Sequence, residues 1–391
     1  MKYFKLSALF GLLLLCLAAP LQAQDEASLG LITELSFPPM LNELAPGINL
    51  QARVIDLWVE DNLAVITAGP VLYFVDLSDL SNPTLLSTIE LGEGEISWDA
   101  KLQNDLAYIG LQASNDDSTL RIYDVSDPTE PALVANYITD VFAGAHNIFI
   151  AGNVAFIGSF GAFGGPDSNP DPIDEGIWMV NISDPANPQD IGQIFTEDGN
   201  AIGSVHDMTV IGNRAYIAAW DTGFWIVDFE NLDNPSELSY TVAGHHRYPA
   251  LIPGPPSTHN VWPSEDGSML WTTDEALGEQ VRLFDISDLD NIQFLGRFRI
   301  SGGLPVPHNV VVDGEFAYVS HYLDGLQVLK YDAEAQEIVR VVEFPSAANV
   351  PPGNPFLGAF GVFPLEDHVL ITDTNRGLIV LDKAMLLSQA E

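Results

Sequence analysis

The chain has 391 residues, 47% hydrophobic and 17% charged, with 54 acidic against 14 basic side chains and a formal net charge of −40. That composition is globular rather than disordered, and its acidity repels phosphate backbones and anionic headgroups, which argues against nucleic-acid or membrane-surface partners. The one cysteine, Cys16, lies in the first segment, so the rest of the chain has no disulfide and no thiolate metal ligand.

Residues 1–23 read as a secretory signal peptide: two lysines, an apolar run, then Leu21-Gln22-Ala23 ahead of the cleavage point. The Leu13-Leu14-Leu15 stretch before Cys16 lacks the small residue of a lipoprotein site. No later segment is apolar for long enough to span a bilayer. The expectation is an exported protein, periplasmic or secreted and monomeric, with residues 24–391 forming a single domain.

Beyond the signal, "LGLITELSF" (29–37) reads as a lone strand with no local partner. A repeated unit follows: a polar pair, a short apolar strand, a turn, an "AYI"-like strand, a loop, and a strand ending in Asp before "SDPxNP". Its strand-ending segments begin with "VLYFVDLSDLSNP" (71–83), "LRIYDVSDPTEP" (120–131) and "IWMVNISDPANP" (177–188). "FWIVDFENLDNP" (224–235) and "VRLFDISDLDNI" (281–292) come next, then the weaker "LQVLKYDAEAQE" (326–337) and "LIVLDKAM" (378–385). Asp76, Asp124, Asn181, Asp228 and Asp285 are 48, 57, 47 and 57 residues apart, room for four short strands with loop insertions. Seven units predict an all-β, seven-bladed β-propeller. The seventh breaks off after its third strand, and the strand in 29–37 is expected to complete it and close the ring, removing an open sheet edge.

The "VDxSDPxNP" units look like LVIVD repeats, and the chain resembles the bacterial exported proteins of the choice-of-anchor B family. The resemblance rests on "STHNVWPSEDGSMLWTTDE", "PHNVVVDGEFAYVSHYLDGLQVL" and "FLGAFGVFPLEDHVLITDTNRGLIVLD". It implies a propeller and export, with no established reaction. Family members often end in surface-anchoring segments; this chain stops at "LLSQAE", which favours a free form.

Asp56, Asp99, Asn147, Asp207, Asn260 and Asn309 align at the start of the innermost strands, with Gly361 in the last blade. His146, His206, His259 and His308 precede this column in four consecutive blades, where blades 1 and 2 have Ile55 and Trp98. Adjacent strand residues point opposite ways. If the histidines face the axis, they form a ring of imidazoles suited to Zn, Fe, Cu or Mn, and the neighbouring Asn or Asp side chains are placed to orient them. The competing reading is structural: such pairs bond loop backbone and neighbouring blades, and recur because blades are duplicates.

Asp274, Glu275 and His321 are the candidate catalytic proton carriers on the same rim. His245, His246 and Asp373 map to that face too. Asp167, Asp171, Asp174 and Glu175 form a candidate calcium loop, for which a solvated loop is the default because EF-hand spacing is lacking. The "SDP" aspartates, including Asp79, Asp127 and Asp184, are expected to organise turns. Trp98, Trp178, Trp220, Trp225 and Trp262 are candidates for an aromatic or carbohydrate site, with blade packing as the default. Two functions follow. One is a binding scaffold that holds a protein, glycan or small ligand; the other is a metalloprotein, an oxidoreductase, with a four-histidine axial site.

Overall fold

The computed structural model describes residues 26–37, 54–113, 118–139, 145–159, 176–249, 256–301, 305–346 and 354–389. Residues 1–23, expected to be a signal peptide, and the candidate calcium ligands Asp167, Asp171, Asp174 and Glu175 lie outside the described residues.

Seven antiparallel sheets follow one another along the chain, each of four strands except the second, which carries a fifth short strand. They are the blades of a seven-bladed β-propeller. Their innermost strands are Leu57–Glu60, Ala100–Gln103, Ala145–Ala151, Asp207–Ile211, Thr258–Pro263, Val310–Asp313 and Ala359–Pro364. Leu31–Leu35 pairs antiparallel with Gly377–Asp382, so the strand expected to close the ring is the outer strand of the seventh blade.

The core is divided among the gaps between blades. Among the described residues, seven apolar clusters fill the seven interfaces, with Ile148, Ile157 and Trp178 of blade 3 against Leu120 and Ile122 of blade 2 in one of them. Strands buried on both faces explain the near-continuous apolar runs of the repeat, such as Val71–Asp76. The Asp-x-Ser-Asp segments form paired turns as expected. In blade 1, Asp76 Oδ1 accepts the Ser78 N–H at 2.8 Å and Asp79 Oδ1 accepts the Ser81 N–H at 3.0 Å. Blade 2 repeats this with Asp124 to Ser126 at 2.9 Å and Asp127 to Thr129 at 3.1 Å.

One element has no counterpart in the sequence reading. A five-residue helix, Lys383–Leu387, follows the last strand; Asp382 caps it by accepting the Met385 N–H at 2.7 Å, and Leu386 is buried against blades 6 and 7. Five residues are too few for a helical period to show in the sequence.

Candidate functional site: the mouth of the central channel

The residue before each polar column position lines a central cavity of about 500 Å³. Around the ring these residues are Ile55, Trp98, His146, His206, His259, His308 and Phe360, so four consecutive blades present imidazoles and three present apolar groups. The alternation of strand side chains makes this sorting: with the histidines turned inward, several of their Asn and Asp neighbours bond to adjacent blades. Asp99 Oδ2 accepts the Asn147 side-chain amide at 2.8 Å and the Ile148 N–H at 3.0 Å. Asn260 donates to Asp207 Oδ2 at 2.5 Å, and its own Oδ1 accepts the Val310 N–H at 3.0 Å. These side chains stitch blades together; the expectation that they orient the imidazoles gives way to that role. His308 is instead oriented by backbone, its Nδ1–H donating to the Phe360 carbonyl at 2.7 Å.

A hydroxyl from the second strand of a blade bonds to the carbonyl of the axial residue in the next. Thr67 reaches Trp98 at 3.1 Å, Ser320 reaches Phe360 at 2.5 Å, Thr372 reaches Ile55 at 2.6 Å, and Thr273 bonds to His308. Sequence reasoning missed this tether. The signal was present as Thr or Ser closing the second strand in "LAVIT", "FAYVS" and "HVLIT".

The imidazoles are close together. His146 Nε2 and His206 Nε2 are 3.1 Å apart, and ring centroids are 4.0 Å apart for His206 and His259 and 4.1 Å for His259 and His308. Glu275 enters from the turn after Met269–Asp274, its Oε2 3.6 Å from His259 Nε2 and 3.9 Å from His206 Nε2. Tyr322 donates its hydroxyl proton to Glu275 Oε1. Ligand atoms of His206, His259 and Glu275 all lie within 4.8 Å of one another. Two atoms each about 2.1 Å from one ion, at angles of roughly 90–120°, stand about 3.0–3.6 Å apart. The 3.1 and 3.6 Å separations fall in that range and the 3.9 Å one a few tenths outside it.

Burial sets the charge state. It pushes His146 down to about 4 and His308 to about 3, and holds His206 and His259 well below the usual imidazole value, with neighbouring imidazoles adding to the effect on the last two. All four are neutral at pH 7, the form in which an imidazole nitrogen offers a lone pair to a metal. Burial also raises the Glu275 carboxyl to about 7, against the lowering effect of the Tyr322 hydrogen bond.

The LVIVD repeat matches residues 53–90, 96–139 and 202–242, within the first, second and fourth blades. The chain thus carries LVIVD repeats. No curated protein matches it. Among solved structures it is similar to the computationally designed Ika8 protein at 9% identity and a TM-score of 0.54, over 90% of this chain and 99% of that one. It is similar to U3-55K at 10% identity and a TM-score of 0.58, over 88% and 100% of the two chains. A chain of the mitotic checkpoint complex matches at 12% identity and a TM-score of 0.59, over 98% of both. At such identities the likeness is one of fold.

Of the candidate proton carriers, Glu275 lines the cavity. Asp274 is fully buried next door, bonded by Arg282 Nε at 2.6 Å and the Tyr248 hydroxyl at 2.9 Å, which leaves it a structural role. His321 is buried with its Nδ1 3.2 Å from the Asp324 carboxylate; its neighbour Tyr322 is the residue that reaches the cavity. His245 stacks on Trp225 with centroids 3.7 Å apart, and His246 packs on Phe224. Trp98 and Trp220 line the cavity, whereas Trp178 packs between blades 2 and 3. Sequence reasoning missed Tyr322, Phe356 and Phe360; the last was within reach, since it precedes Gly361 in the aligned column.

Proposed function

We propose that this protein is an exported LVIVD-repeat binding propeller of the choice-of-anchor B kind that takes a small ligand into its central channel. A divalent transition ion, Zn, Fe, Cu or Mn, is held there by His206, His259 and Glu275, with His146 and His308 within reach of the same centre. The observation that carries this reading is the convergence of four neutral imidazoles and one buried carboxylate on a cavity of about 500 Å³. Nitrogen donors with one carboxylate suit these ions better than calcium. A site of this size favours a ligand-binding channel over a filled one, and gives a specific footing to the second reading, a metal-dependent oxidoreductase.

The test is elemental analysis by mass spectrometry of tag-free protein, beside a His206→Ala/His259→Ala variant. Near-stoichiometric transition metal in the wild type, reduced at least tenfold in the variant, is expected. A wild type still metal-free after reconstitution with each of the four ions overturns the metal site.

A further inference from the structure

The cavity has two unlike halves, and the second half points to what it holds. Blades 3 to 6 present the imidazoles, while blades 7, 1 and 2 present Phe360, Ile55 and Trp98 at the same axial position. Phe356, 41% exposed and 5.6 Å from the Tyr322 ring, adds to the apolar side, while Trp220 stands among the imidazoles on blade 4. These rings also buttress the imidazoles. Trp98 lies 5.7 Å from His146, Trp220 stacks on His206 at 5.0 Å and 24°, and Phe360 meets His308 edge-on at 4.2 Å. Aromatic faces left partly exposed beside a polar centre form an amphipathic pocket, one wall for an apolar ring and the opposite one for a donor atom.

Charge narrows the class. Among the described residues lining the cavity there is no lysine or arginine, while Asp56, Asp99, Asp207 and Glu275 are present. The chain carries −40 overall. In the metal-free protein a free carboxylate or phosphate therefore finds no unpaired cation lining the cavity, the nearby Lys101 being paired with Asp99, and meets the field of an acidic chain on approach.

We propose that the channel binds an uncharged ring-bearing alcohol or phenol, its ring against Phe360, Ile55 and Trp98 and its hydroxyl turned to the imidazole and Glu275 side. This rests on the channel reading above, and it deepens that reading by naming the ligand class. A hydroxyl meets both states of that side: it donates to Glu275 or to an imidazole lone pair in the metal-free protein, and its oxygen is a donor to a bound ion.

The experiment titrates 4-methylphenol, and separately benzoate, into metal-free and cobalt-loaded protein, following tryptophan fluorescence in both and the visible cobalt bands in the second. Saturable quenching by 4-methylphenol is expected in both forms, with altered cobalt bands in the loaded one and, in the metal-free one, benzoate at least tenfold weaker. Trp98→Ala should weaken 4-methylphenol at least tenfold in the metal-free protein. Phe356→Ala, at a position 41% exposed, should weaken it severalfold. Benzoate binding to the metal-free protein as tightly as 4-methylphenol, or 4-methylphenol affinity unmoved by both variants, overturns the ligand class. Absence of cobalt uptake, read by elemental analysis, bears on the metal site alone, because the metal-free titration still reports on the apolar wall.

Discussion

Asp56 sits in the channel wall near Asp99, Asp207 and Lys101, where burial and the neighbouring Asp99 charge raise its carboxyl from 3.8 to about 7, against the lowering effect of Lys101. Asp207 is raised to about 7 by the same causes. A carboxyl with a raised folded-state pKa holds its proton more tightly folded than unfolded. Its contribution to stability is therefore fully present below about 3.8 and is lost as pH rises through about 7. In the presence of a chelator, Asp56 therefore contributes a loss of stability in urea between pH 5 and pH 8, while the four buried histidines, held below the usual imidazole value, contribute in the opposite direction. Asp56→Asn, which keeps the shape and cannot ionise, should reduce that loss by about 1–2 kcal/mol, a figure lowered for the coupling to Asp207 and Lys101. An equal pH slope in the two proteins would remove Asp56 as the source. The comparison has to be between variants, since self-repulsion in so acidic a chain also weakens it as carboxyls ionise.

The turn that carries Tyr322 shows why some of the site was legible in the sequence and some was not. The histidine column could be read because it recurs at one register in four consecutive repeats, and strand alternation leaves two choices of facing. Tyr322 lies in a turn with φ of +40°, where alternation gives no guidance, and the chemistry of His321 drew attention to the wrong member of the pair. Likewise, Asp274 ends its strand inside an Arg282 and Tyr248 network while Glu275, one residue on, reaches the cavity. The tight turn is held from the next blade: Tyr322 and Ala359 exchange backbone hydrogen bonds of 2.9 and 3.0 Å. That approach requires Gly358, which has φ of +111° and whose added Cβ would stand 2.2 Å from the Tyr322 carbonyl oxygen. Gly358→Ala should cost about 2–4 kcal/mol of stability and displace the Tyr322 hydroxyl from Glu275. Urea denaturation measures the first. Loss of 4-methylphenol affinity under folded conditions measures the second, and a variant with wild-type stability would show that the backbone approach is not needed.

A ring of blades puts one demand on the whole chain: the first strand has to find the last sheet. The first and last described strands meet there, since Leu31–Leu35 pairs with Gly377–Asp382 and the Arg376 guanidinium binds Glu34 at 3.0 Å and Glu26 at 2.8 Å. Leu29 is fully buried among blades 6 and 7, and Ile32 and Leu35 pack at the interface of blades 7 and 1. Closure therefore bears on the channel, because blades 6, 7 and 1 carry His308, Phe360 and Ile55. A chain beginning at residue 38, compared with one beginning at residue 24, leaves the Gly377–Asp382 edge open to pair with another molecule. Burying one Leu or Ile side chain contributes about 1.5–3 kcal/mol. With at least that lost at several positions, the melting temperature should fall by at least about 5 °C. Light scattering after size exclusion should show oligomers in place of a single species. Metal content should fall with it, since the imidazoles hold their spacing through the blades that the closure clamps. A shortened chain that melts with the longer one and keeps its oligomeric state would mean that the inter-blade clusters alone hold the ring.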